Sequence, residues 1–179
     1  NIFKNIEYTP KAINFFNKKN NLDLKWKKIF KKYDHYKLKV GLVWQGDHIN
    51  NKNDFKRSIP LNKFEPILKL NKIKFFSLQK YFGKEQIETY NFGKYIINFY
   101  DNIDKEPFED TLCIIENLDL VISVDTSLAH ISATAGKKTW VMIPKVPDFR
   151  WGLNKSSSMW YNNITLYRQN ETYDWENVF

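Results

Sequence analysis

The stretch Val121 to His130 (VISVDTSLAH) runs an apolar segment directly into three oxygen-bearing side chains, Asp125, Thr126 and Ser127, with His130 four positions beyond Thr126. Asp, Thr and Ser are favoured at helix N-caps because their side-chain oxygens accept from free backbone N–H groups, so one reading is an ordinary cap. The other is an anion site. The first helical turn leaves N–H groups unpaired, and the helix dipole favours negative charge there by ~0.3–1 kcal/mol. Hydroxyls add hydrogen bonds worth ~1.5–3 kcal/mol each to a charged acceptor. His130 falls on the same helix face, one turn inward, either as a packing residue or as a contact to phosphate or a sugar hydroxyl.

Two further segments carry candidate chemistry. Gly46 lies beyond the apolar run Leu38 to Trp44, with one residue between, where a glycine lets backbone approach a ligand closely. The loop after it closes in Lys56, Arg57 and Ser58, and Arg57 is either an exposed loop charge or a bidentate partner for a diphosphate. The second segment ends in Gln79 and Lys80, behind the apolar run Ile73 to Leu78, where a base, ribose or phosphate would be reached. No second and third glycine follow Gly46, so the dinucleotide fingerprint is absent and a nicotinamide enzyme is disfavoured.

The elements that must hold these residues follow from hydrophobic period. Short apolar runs at 38–44, 73–78, 95–99, 120–124, 139–143 and 164–168 suit strands buried on both faces. Helical spacing fits 61–70, 81–90, 107–118 (with Phe108, Leu112, Ile115 and Leu118 inward) and 126–135. Gly136 follows in the C′ position, and a last helix opens at Asp174. Strands alternating with helices predict an α/β fold: a Rossmann-like parallel sheet with helices on both faces. Ligands of such sheets bind beyond the carboxyl ends of the strands, where all the candidate residues fall. Residues 1–37 read as a helical segment, with Trp26, Ile29, Phe30 and Tyr33 on one face and lysines around the rest, and a boundary is expected near residue 37.

Composition bounds the rest. At 179 residues and 42% hydrophobic content the chain can bury a core. No apolar run approaches the ~20 residues of a membrane span, no secretory pattern opens the chain, and the missing initiator Met predicts a fragment or processed product. Cys113 is the only cysteine, which rules out an intrachain disulfide and a thiolate zinc cluster, fits a reducing compartment, and places Cys113 in a core. The net charge of +8 comes with abundant Asn, Lys and Ile, a pattern of AT-rich codons more than of nucleic-acid binding. A nucleic-acid-binding protein using the basic helix at 18–32 is the weakest alternative, because no recognition motif supports it.

Taken together, VGLVWQG, the loop closing in RSIPL, FFSLQK, LDLVISVDTSLAHISATAGKKTWVMIP, VPDFRW and MWY resemble the C-terminal lobe of family 9-like glycosyltransferases of the two-lobed GT-B type. These include the ADP-heptose:lipopolysaccharide heptosyltransferases. The similarity is closer to relatives with tetratricopeptide repeats upstream, themselves akin to O-GlcNAc transferase. It covers residues 38–179 as a donor-binding domain, with 1–37 as a helical segment between lobes. The resemblance implies sugar transfer from a nucleotide-diphosphate sugar to a hydroxyl on a glycan, lipid-linked or protein acceptor, with Asp125, Thr126 and Ser127 at the diphosphate and transferred sugar. His130 would support that site as a possible catalytic group, Arg57 would contact donor phosphate, Gly46 would lie in the donor site, and Gln79 and Lys80 would lie near the nucleoside. It further implies no bound metal and no cofactor, a catalytic base in an N-terminal lobe joined to tetratricopeptide repeats, no transmembrane segment, and a cytoplasmic or inner-membrane-peripheral location. Ser127 stands where heptosyltransferases carry Gly, which reshapes the sugar pocket. A non-catalytic nucleotide- or sugar-binding module is the main alternative.

Overall fold

The computed structural model describes residues 20–47, 54–99 and 108–179. Its centre is a sheet of six parallel strands: β1 (Leu38–Val43), β2 (Ile73–Ser77), β3 (Ile96–Asn98), β4 (Leu120–Val124), β5 (Thr139–Ile143) and β6 (Ile164–Arg168). The spatial order is β3-β2-β1-β4-β5-β6. Every residue of β4 is buried, as a central strand covered on both faces requires. The chain runs outward from β1 to β3, then crosses back to lay β4 against the other edge of β1, pairing Val40 with Leu120 and Val43 with Ser123. The order reverses between β1 and β4, so a crevice opens beyond their carboxyl ends.

Helices cover the sheet as the apolar spacing predicts. On one face lie α1 (Asn20–Phe30), α4 (Glu109–Glu116) and α5 (Ser127–Thr134). Trp26 and Phe30 of α1 pack there with Phe76, Phe99, Ile114 and Val121. The aromatic face of α1 therefore sits in the same core as the sheet, on both sides of the boundary expected near residue 37. On the other face, Val40, Leu42, Trp44, Phe64, Phe75 and Ile122 form a second cluster under a 3-10 turn (Leu61–Phe64), α2 (Glu65–Leu68) and α3 (Gln86–Thr89). A third cluster joins Ala129 and Ala133 of α5 to Val141, Ile143, Trp151 and Ile164. Cys113 is buried in the first of these cores.

Three expectations need correction. Phe108 is exposed rather than inward, because it adopts a left-handed backbone (φ 66°) that turns the chain before α4 starts. The buried stripe is rotated as a result and takes in Asp110, whose carboxylate accepts from the Trp26 indole N–H and pairs with Lys25 Nζ at 3.4 Å. The helix expected over 81–90 contracts to Gln86–Thr89, and the last helix to a 3-10 turn at Glu176–Val178. Gly136 does take positive φ (77°) after α5, as its C′ position predicts. No helix among the described residues is long and apolar enough to cross a membrane.

Candidate functional site

The carboxyl ends of β1 and β2 are tied together by one side chain. Gln79 Oε1 accepts from Trp44 N and Gln45 N, each at 3.0 Å, while its Nε2 donates to Gln45 O and Phe82 O, each at 2.8 Å. An amide with two accepted and two donated bonds has its capacity filled. Gln79, 5% exposed, thus shapes the strand ends, and a direct amide contact to a nucleoside would first break these bonds. Lys80, the next residue, points its ammonium over the Phe108 ring at 5.7 Å, and burial lowers its pKa against the opposing pull of Asp110.

Gly46 has a different partner from the one its position predicts. A Cβ added there would overlap the Asp54 carboxylate, so the space that a glycine leaves is occupied by protein. Its N–H donates to Ser58 Oγ at 3.1 Å, and that hydroxyl donates to Asp54 O at 2.7 Å. The 3-10 turn Asp54–Lys56 is thereby locked onto the end of β1, and Arg57 emerges from it in a fixed direction. Arg57 Nη2 pairs with Asp54 Oδ1 at 2.7 Å, and Nη1 lies 3.7 Å from Asp125 Oδ2.

At the end of β4 the alternative of an ordinary cap fails for Thr126. It holds the N-cap position with extended backbone (φ −137°, ψ 172°) but makes no side-chain capping bond. Its hydroxyl lies 3.2 Å from Ser123 Oγ. Ser127 is exposed at the first position of α5. Asp125 is 3% exposed, and among the described residues its Oδ1 has no hydrogen-bond partner. A buried carboxylate with an unmatched oxygen is costly, so this oxygen calls for a water or a ligand hydroxyl to complete it.

His130 lies one turn into α5. Its ring stacks on Trp151 (centroids 5.1 Å, 18° between planes), and Nδ1 lies 3.1 Å from Tyr161 Oη. Burial lowers its pKa, the Arg150 charge adds to that, and Asp125 and Asp148 oppose it, so the neutral ring is favoured. Nε2 is buried without a partner among the described residues.

Sequence reasoning passed over the connection between β5 and β6, which completes this wall. Asp148 Oδ1 accepts from Arg150 N at 3.0 Å and from Arg150 Nε at 2.7 Å. The bond from Asp148 raises the Arg150 pKa. Burial works to raise that of Asp148, but hydrogen bonds from Arg150 and the charges of Arg150 and Arg57 bring it down. The structure therefore brings Gly46, Arg57, Asp125, Thr126, Ser127 and His130 to the β1–β4 crevice and adds Asp54, Asp148, Arg150 and Tyr161. Lys80 sits against Phe108 at the start of α4. The strand-end rule that pointed to Asp125 extends to Asp148 and Arg150 only through the connection after β5, in which four residues separate Ile143 from Asp148.

No family model and no curated protein matches this chain. Among solved structures its fold is similar to that of E. coli heptosyltransferase WaaC, in a structure with ADP-2-deoxy-2-fluoro heptose. The TM-score is 0.54 at 14% sequence identity, over 84% of this chain and 42% of that one. The chain thus spans less than half the length of that enzyme and shares with it a Rossmann-like α/β layer.

Proposed function

We propose that this chain is the donor-binding half of a GT-B glycosyltransferase. It takes a nucleoside-diphosphate sugar across the β1–β4 crevice, and a second lobe with helical repeats upstream presents a glycan, lipid-linked or protein acceptor. The observation that carries this reading is Asp125. It is buried, has one unmatched oxygen, stands at the N-terminus of α5 beside a Thr126 hydroxyl not spent on capping, and faces Arg57. The WaaC structure, which holds a nucleotide-sugar analogue on a similar fold, supports it.

Transfer of the sugar breaks its bond to the diphosphate, and negative charge grows on the departing phosphate oxygen. Preorganised N–H groups and a fixed cation stabilise such charge without reorganising. The N-terminal amides of α5, the Thr126 and Ser127 hydroxyls and Arg57 are assigned that task, with no metal ion or cofactor required. The base that deprotonates the acceptor hydroxyl is assigned to the second lobe, so this chain alone binds donor and transfers little. Neutral His130 supports the site through its stacking on Trp151 and its contact with Tyr161. The reading places the protein in the cytoplasm or on the inner membrane face.

Calorimetric titration with UDP, GDP, ADP and CMP tests it. One nucleotide should bind saturably, and an Arg57→Ala/Thr126→Ala double variant should weaken it at least tenfold, about 1.4 kcal/mol. A folded protein that binds none of the four, both as this chain and at full length, refutes the proposal.

A further inference from the structure

A nucleoside-diphosphate sugar is linear: nucleoside, two phosphates, sugar. In the reading above, on which this inference rests, the diphosphate lies between the Arg57 turn and α5, and we take the nucleoside to lie toward the end of β2, the side on which the family resemblance puts it. The strand order β2-β1-β4-β5 then leaves the end of β5 as the next position along the edge. Strands are about 4.8 Å apart, so β2 to β5 spans about 14 Å of sheet edge. What stands at that position is the wall formed by the β5–β6 connection and α5, joined through the stacking of His130 on Trp151 and its contact with Tyr161.

We infer that the Asp148–Arg150 pair and Tyr161 form the subsite for the transferred sugar, and that they select an uncharged, hydroxyl-rich one. Asp148 holds Arg150 by its Nε and backbone N–H, which fixes the guanidinium plane. Among the described residues the Arg150 Nη nitrogens carry no further bond, and the side chain is 39% exposed. The pair thus presents fixed donors on Arg150 beside the second carboxylate oxygen of Asp148. A sugar hydroxyl both donates and accepts, so it matches such a pair, and Tyr161 Oη adds a third polar contact. Charge selects against the alternatives. Either kind of ionic sugar would meet a like charge in this crevice, Asp125 and Asp148 or Arg57 and Arg150, beside each opposite one, whereas neutral hydroxyls pair with both kinds of group.

The test compares each nucleoside diphosphate with its sugar conjugate: UDP with UDP-glucose, ADP with ADP-glucose, and GDP with GDP-mannose, plus UDP-glucuronate as an anionic sugar. The wild-type chain should bind one conjugate at least fivefold more tightly than its diphosphate. Arg150→Gln and Tyr161→Phe, each checked for folding by thermal melting, should bring that ratio to within twofold of one, and UDP-glucuronate should bind no more tightly than UDP. Four results overturn the inference while leaving the nucleotide-sugar reading standing. They are no sugar increment in any pair, an increment that survives both variants, equal weakening of diphosphate and conjugate by Arg150→Gln, or a larger increment for glucuronate. If no diphosphate binds at all, the reading itself fails and takes the subsite with it.

Discussion

Replacing Gln79 by Leu keeps the side-chain size and removes four hydrogen bonds, three that join the ends of β1 and β2 and one to Phe82 O in the segment after β2. A net hydrogen bond contributes about 0.5–1.5 kcal/mol, and a buried group left without a partner costs about 1–3 kcal/mol. Trp44 is fully buried and its N–H cannot turn to water, whereas Gln45 is half-buried and recovers part of its loss by hydration. The expected destabilisation is therefore about 2–4 kcal/mol. Gln79→Glu is the sharper variant. It keeps an acceptor for the Trp44 and Gln45 N–H groups but turns a second carboxylate oxygen toward the Gln45 and Phe82 carbonyls, so it should cost at least as much at neutral pH. Urea unfolding with an unchanged m-value reads both effects as shifts in midpoint. A loss below about 1 kcal/mol for Gln79→Leu, or wild-type stability for Gln79→Glu, would refute the assignment of this amide to the scaffold.

Gly136 has positive φ with open space where a Cβ would go, so Gly136→Ala meets backbone strain alone and should cost about 1–2 kcal/mol, with Gly136→Asn costing less, both read by thermal or urea unfolding. The lowered pKa of His130 means that the unfolded chain binds more protons than the native one between the native pKa and about 6.5. This contribution to stability is therefore complete above pH 6.5 and is lost as pH falls toward the native pKa. A His130→Gln variant should show a flatter fall in unfolding free energy over that window, and equal slopes for the two proteins would sink the assignment.

The strands were legible from their residues, and the site only in part, for a physical reason. A strand such as Leu120–Val124 is buried on both faces, so its own composition reports its environment. The helix after it was legible for the same reason, as was Gly136 at its end. The site depends on pairs distant in sequence. Glycine at position 46 is explained by Asp54, which the chain brings back through a turn. The burial of Asp110 is explained by Trp26, 84 residues away. Gln79 reads as a ligand contact because it follows a strand; its amide bonds to Trp44, Gln45 and Phe82 depend on residues that its own segment does not show. Asp148 and Arg150 have local partners, but nothing in PDFRW shows that the connection folds back against His130; that contact is made by Trp151 and Tyr161 from either end of a Ser-rich loop.

The charge of the whole chain and the charge of the crevice act at different ranges. A net charge of +8 creates a field that favours the approach of anions and is screened beyond about 8–10 Å at physiological salt. At the crevice, by contrast, the two guanidiniums of Arg57 and Arg150 stand among three carboxylates, Asp54, Asp125 and Asp148. Such a cluster is not an anion trap by net charge. The proposed selectivity for a diphosphate would therefore come from direction: the amides at the start of α5, and an Arg57 held by Asp54. The carboxylate in excess is Asp125, buried and short of one partner. A phosphate oxygen would be repelled there and a sugar hydroxyl would complete it, so the proposed donor would set its phosphates over the helix start and its hydroxyls toward β5.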